Sequence, residues 1–221
     1  KSVLDTYPEM TWLTGDVQAT PDASVDAQEG KSPGEILFPT MDKKSLTELN
    51  RTAVGLATLK WVVDGDYESF TECQGEPVRM TRSSFDELRS YTTSVLATPA
   101  DFDAMVLFTV INDLGKIQAV VDKAKAVGIV NVDHDKVLVS MLENHPEVSP
   151  SFSALGDTYQ QVILDGLRAE FNIGQFAQGE NVPASLGGLK DLVASTKAFD
   201  FYLIHALYDV AGAAGQFVWK G

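Results

Sequence analysis

One cysteine in 221 residues, Cys73, excludes an internal disulfide framework, so this chain has to hold itself together by burial. Long apolar runs are missing too. None reaches the ~18 residues that a membrane-spanning helix needs. Basic residues are in short supply: 17 Lys and Arg stand against 31 Asp and Glu, a formal charge of -14 with a pI near 4.5. Such a surface repels phosphate backbones and anionic bilayers, so neither nucleic acid nor membrane is an expected partner. It holds a cationic or metal-bound group more easily than a free polyanion. There is no internal repeat, coiled-coil heptad or low-complexity tract. The chain starts at Lys1 without a Met, as a trimmed chain would, and its compartment is left open between cytoplasmic and secreted.

What is present suits one globular core, with 44% of residues hydrophobic. Residues 1–44 lack periodic pattern and carry Pro8, Pro21, Pro33 and Pro39, which predicts an extended N-terminal arm pinned by Tyr7, Met10, Trp12 and Leu13. From Ser45 the pattern turns helical. Ser45 with Glu48 reads as a capping box, and so does Ser84 with Glu87. Pro99 opens a helix and Asp133 caps another. A long amphipathic helix is expected over 152–171, a short one over 186–193 and an apolar one over 195–214. Residues 67–81 read as a short β-hairpin around Gln74-Gly75-Glu76-Pro77. The expectation is an all-α domain over 45–221, a single bundle of about seven or eight helices.

Chemistry is signalled first by Val110-Ile111-Asn112-Asp113-Leu114-Gly115-Lys116-Ile117. An amide and a carboxylate end an apolar helix, and burying them costs several kcal/mol unless partners meet them. His205 and Asp209 lie four apart on another apolar helix, a spacing that presents both to one ion or substrate, or simply pairs them. His134 opens a helix beside Asp133 and Asp135, where capping explains it equally well. His145 closes the same helix, ~16 Å away, so the two cannot share an ion. Asn172, Gln175 and Gln178 form an amide stripe that either orients a polar ligand or caps irregular turns. Asn50-Arg51-Thr52 matches the glycosylation sequon, a three-residue pattern common by chance.

Three strings together resemble the HD superfamily of metal-dependent phosphohydrolases, and within it the HD-GYP phosphodiesterases. Asn112-Asp113-Leu114-Gly115-Lys116-Ile117 is similar to that family's His-Asp-(Ile/Leu)-Gly-Lys motif. Asn144-His145-Pro146-Glu147-Val148 is similar to its closing His-Pro-Glu. Asn50-Arg51-Thr52-Ala53-Val54-Gly55 has the shape of its first metal-binding His-x-x-x-Val-Ala. The resemblance implies an HD-like bundle with Asp113, His145 and Asp209 as metal ligands, His205 or His134 as a further ligand, and Lys116 on phosphate. The pocket it implies is lined by Asn50, Asn112, Asp113 and Gln175. Both leading motif histidines are asparagine here, a much weaker transition-metal ligand, and the Gly-Tyr-Pro hallmark is absent.

Three functions follow as alternatives. The first is a metal-dependent hydrolase of a phosphate ester or related small molecule, with Mn, Fe, Zn or Ni held at Asp113 and Lys116 steadying the developing charge. The second is a metal-free descendant that binds or rearranges a small apolar molecule, with Asp113 as acid or base and Asn50, Asn112, Asn172 and Gln175 as orienters. The third is a non-catalytic interaction module in which Asn112-Asp113 caps neighbouring helices.

Overall fold

The computed structural model describes residues 3–15, 30–131, 133–171, 173, 176, 178–179, 184–190, 192–213 and 219. Among them every regular element is helical, with no strand or sheet, as an all-α chain should be. The described parts of the N-terminal arm are short helical turns laid on the bundle. They are α1 (Val3–Thr6), a 3-10 turn over Pro8–Thr14, and α2 (Pro33–Leu37). Met10 and Leu13 sink into one core with Leu107, Phe108 and Ile117, while Tyr7 and Trp12 pack against it. Fully buried Glu9 locks this contact. Its carboxylate accepts from Ser149 Oγ at 2.9 Å, Ser151 N at 2.7 Å and Ser151 Oγ at 2.8 Å.

The long helix α3 (Thr47–Asp64) runs through the middle. The expected Ser45–Glu48 capping box does not form. A 3-10 turn, Lys43–Leu46, takes up Ser45, so α3 starts later and Glu48 faces the core. Gly65, at φ 79°, closes α3 by donating to the carbonyls of Trp61 and Val62. The chain then turns directly into α4 (Tyr67–Thr71), because the Asp66 carboxylate accepts from Ser69 N at 3.1 Å. That cap replaces the hairpin read from residues 67–81, and a 3-10 turn over Glu76–Val78 completes the segment.

Next come α5 (Arg82–Val95), capped by Thr81 and not by Ser83 or Ser84, and α6 (Pro99–Ile111), with a capping box between Thr98 and Asp101. Beyond α7 (Gln118–Ala126) and α8 (His134–Asn144), the single helix expected over 152–171 is two elements. These are α9 (Pro150–Ser153) and α10 (Asp157–Leu167), parted where Gly156 takes extended backbone. In place of the short helix expected over 186–193, the described residues form two 3-10 turns, Ser185–Leu189 and Leu192–Ala194. Last is α11 (Thr196–Gly212), capped by Ser195. No single helix among the described residues is long and apolar enough to cross a membrane.

Helices α3 and α11 touch backbone to backbone. A Cβ on Gly55 would meet Tyr208 O at 2.9 Å, and one on Gly212 would meet Arg51 O at 2.4 Å. Only glycine allows that approach. Two apolar clusters flank the crossing. One gathers Leu49, Leu107, Phe108, Leu138 and Ile163, the other Leu59, Phe85, Met105, Phe201 and Tyr208. Each large side chain buried there contributes ~1.5–3 kcal/mol. Where α3, the end of α6 and α11 meet, the buried residues turn polar.

Candidate functional site

Helix α6 ends at Ile111, and the chain continues through Asn112 and Asp113 into a 3-10 turn, Leu114–Lys116. That turn is pressed against the first turn of α8. A Cβ on Gly115 would lie 2.0 Å from His134 O, so glycine is what lets the two segments meet. The tight turn also curls Lys116 back, placing its Nζ 2.5 Å from Asp113 Oδ1. Asn112 Nδ2 donates to Asp209 Oδ1 of α11 at 3.0 Å.

From α3 come Glu48 and Arg51, residues on which the sequence reading placed no chemistry. Arg51 Nη1 lies 3.0 Å from Glu48 Oε1, and the Glu48 carboxyl hydrogen-bonds the Asp113 carboxylate. Two carboxyls that close cannot both ionise easily. Burial first, then the hydrogen bond and charge of Asp113, push the Glu48 carboxyl up to about 7, against the pull of Arg51 and Lys116. Burial works to raise Asp113 too, but Lys116, the Glu48 hydrogen bond and Arg51 outweigh it and hold that carboxyl below its ordinary value. Glu48 therefore holds the proton and donates it to Asp113. His205, 7% exposed, stacks flat on Phe108 with ring centroids 3.8 Å apart, close enough to feel Asp209 and Asp113. Burial lowers its pKa, so the imidazole is neutral around pH 7.

Two buried side-chain nitrogens among the described residues have no hydrogen-bond partner, Arg51 Nε and His205 Nε2, and Glu48 Oε2 has none besides the Asp113 carboxyl. Both belong to this one cluster. Buried polar groups are normally satisfied, so their concentration here marks a place built to meet something else. A cleft of about 750 Å³ opens between the start of α8 and the chain after α10, lined among others by Asp133, Asp135, Lys136, Phe171 and Ile173, and its Asp135 feels the charge of Asp113. Asp135 links cleft and cluster. Burial, with the charges of Asp133 and Asp113, raises its carboxyl, opposed by His134 and Lys116. Tyr202 lies between the charges of Asp135 and Asp209, and its hydroxyl donates to Phe171 O at 3.1 Å.

The structure thus gathers Asn112, Asp113, Lys116, His205 and Asp209, with His134 against the Gly115 turn. It does not bring in Asn50 or His145. Asn50 is buried and its Oδ1 accepts from Gly34 N at 2.7 Å, so this amide fastens α2 to α3. It is also closed to a glycan in the folded chain. His145 sits at the far end of α8, ~16 Å along the helix from His134, and pairs with Glu147 at 3.4 Å. Asn172 and Gln175 lie outside the described residues. Glu48 and Arg51 went unread because the capping-box spacing offered a local explanation for Glu48, and Arg51 sat in a sequon.

The donor set around Asp113 does not fit the metal ion that the HD resemblance implies. Lys116 and the Glu48 proton occupy Asp113, and Asp209 receives an N–H from Asn112. Among the described residues, only Asp133, His134 and Asp135 bring three potential ligand atoms within 4.8 Å of one another, and Asp133 and Asp135 of that group line the cleft. No curated protein and no solved structure matches the chain. A family model does, over residues 5–221, and the chain accordingly belongs to the Family of unknown function (DUF6829).

Proposed function

We propose that this chain is a metal-independent, HD-like helical protein that binds a small molecule and acts on it by proton transfer. The Glu48–Asp113 carboxyl pair is the acid–base centre, and the cleft at the start of α8 is the approach. The observation that carries the reading is the convergence of two unpartnered buried nitrogens, on Arg51 and His205, with the Glu48 carboxyl around one charged carboxylate. A carboxyl raised to about 7 can give up its proton and regain it near neutral pH, as a general acid–base group must. Arg51 and Lys116 keep Asp113 ionised, so the two members of the pair have opposite roles. His205 and Asn112 supply orienting contacts.

The test is a thermal-shift screen of small molecules on wild type, Asp113→Asn and Glu48→Gln, with and without chelator. A true ligand at 100 times its Kd stabilises the wild type by ~2.7 kcal/mol. The expected hits are indifferent to chelator and lost in both variants. Hits that persist in both variants would place binding elsewhere and refute the reading.

A metal-dependent hydrolase of phosphate esters is the second reading. It is favoured by the ligand atoms of Asp133, His134 and Asp135, which lie within 4.8 Å of one another, with Asp133 and Asp135 on the cleft wall. Near-stoichiometric Mn, Fe, Zn or Ni in chelator-free protein, lost in His134→Ala, would support it over the first.

A further inference from the structure

A buried carboxylate needs a cation, and here the chain supplies one from three residues away. Lys116 Nζ lies 2.5 Å from Asp113 Oδ1, with 24% of its side chain exposed. Arg51 adds a second positive charge beside Glu48, Asp113 and Asp209. Two fixed cations, Lys116 and Arg51, are thus already set among the carboxyls of Glu48, Asp113 and Asp209. A divalent ion entering the cluster would come up against both cations in a covered site, at high cost. It would also have to displace Lys116 from Asp113 and turn Asp209 away from the Asn112 amide.

We propose that Lys116 is the resident cation of this site and stands where a divalent ion would otherwise be needed, so that a single lysine keeps the site metal-free. The proposal rests on the metal-independent reading above. Without the ammonium, Asp113, Glu48 and Asp209 face Arg51 alone. A hard ion that prefers carboxylate oxygen, such as Mn²⁺, then gains both the charge balance and the donors.

The experiment is a Mn²⁺ titration followed by electron paramagnetic resonance, on wild type, Lys116→Met and the Lys116→Met/Asp113→Asn double variant. Methionine keeps an unbranched, largely apolar stem and removes the charge. Binding that survives in the double variant belongs to another site and is subtracted. The expected result is an Asp113-dependent Mn²⁺ site in Lys116→Met, tighter by at least about tenfold than anything at Asp113 in wild type. Mn²⁺ should raise the melting midpoint of Lys116→Met and leave that of wild type unmoved. If Lys116→Met does not fold in metal-free buffer, refolding with Mn²⁺ provides the same comparison, and rescue counts for the proposal. No gain of Mn²⁺ binding and no rescue overturns the proposal while leaving the metal-independent reading intact. Asp113-dependent Mn²⁺ binding by the wild type overturns both.

Discussion

Glu48 makes the pH dependence of folding a direct probe of the cluster. In the unfolded chain its carboxyl titrates near 4.5, and in the folded protein near 7. A folded-state value above the unfolded one means that folding takes up a proton between the two. The stabilisation is therefore fully present below pH ~4.5 and fades as pH rises through ~7. A gap of that size corresponds to ~3 kcal/mol, a large share of the 5–15 kcal/mol typical of a domain. Asp113 acts in the opposite direction. Its carboxyl is held below the ordinary 3.8, so its contribution is present above that value and lost in acid. Glu48→Gln keeps the shape, and its amide N–H can still donate to Asp113, but it cannot ionise. The assay is the urea midpoint of wild type and Glu48→Gln from pH 4.5 to 8.5 at constant ionic strength. Taking the difference between the two curves removes titrations common to both, including those of Asp135 and His205. Wild type should lose ~2–4 kcal/mol relative to Glu48→Gln between pH 5 and 7.5, with the loss levelling off above. Parallel curves through that window would refute the buried-proton account of the pair.

Other perturbations test the same architecture. Asp113→Ala strips Lys116 of the carboxylate it pairs with and should cost about 3–5 kcal/mol, read from urea midpoints at pH 7. Gly115→Ala drives a methyl into His134 O and should cost ~2–4 kcal/mol with no change in charge; a shift under ~0.5 kcal/mol would contradict the close packing described. Asn50→Ala strands the buried Gly34 N–H, costs ~1–3 kcal/mol and should speed proteolysis of the N-terminal arm, followed by mass spectrometry. His205→Phe preserves the stack on Phe108 while removing the unpartnered nitrogen, so stability should hold or rise by ~1 kcal/mol even as ligand binding is lost.

Helix identity was legible wherever local chemistry decides it. Pro99, Asp133 and Ser195 start helices where capping and the proline rule place them. Asn112 and Asp113 stood out because amide and carboxylate have no packing reason to end an apolar run, and the structure puts both in the buried cluster. What escaped depends on which residue wins a local competition. Ser45 with Glu48 has capping-box spacing, but the 3-10 turn before α3 absorbs the serine and rolls the glutamate inward. Tyr67 to Met80 has strand-like side chains around a Gly-Glu-Pro turn, yet the Asp66 carboxylate captures Ser69 N and commits the stretch to helix. Pairing of Glu48 with Asp113 joins helices far apart in sequence, and no local spacing encodes it.

Phe108 is held on two sides. A Cβ on Gly166 of α10 would lie 2.6 Å from its ring, and His205 of α11 stacks on it at 3.8 Å. The ring has no slack, so added bulk at 166 is passed through it to the imidazole beside Asp209 and Asp113. Across the family these three positions should therefore vary as a set. A relative with alanine at 166 would carry a smaller ring or aliphatic side chain at 108, and a relative without histidine at 205 would be released from glycine at 166. The geometry of the site is inherited through a sandwich of three residues, two of which never touch the chemistry.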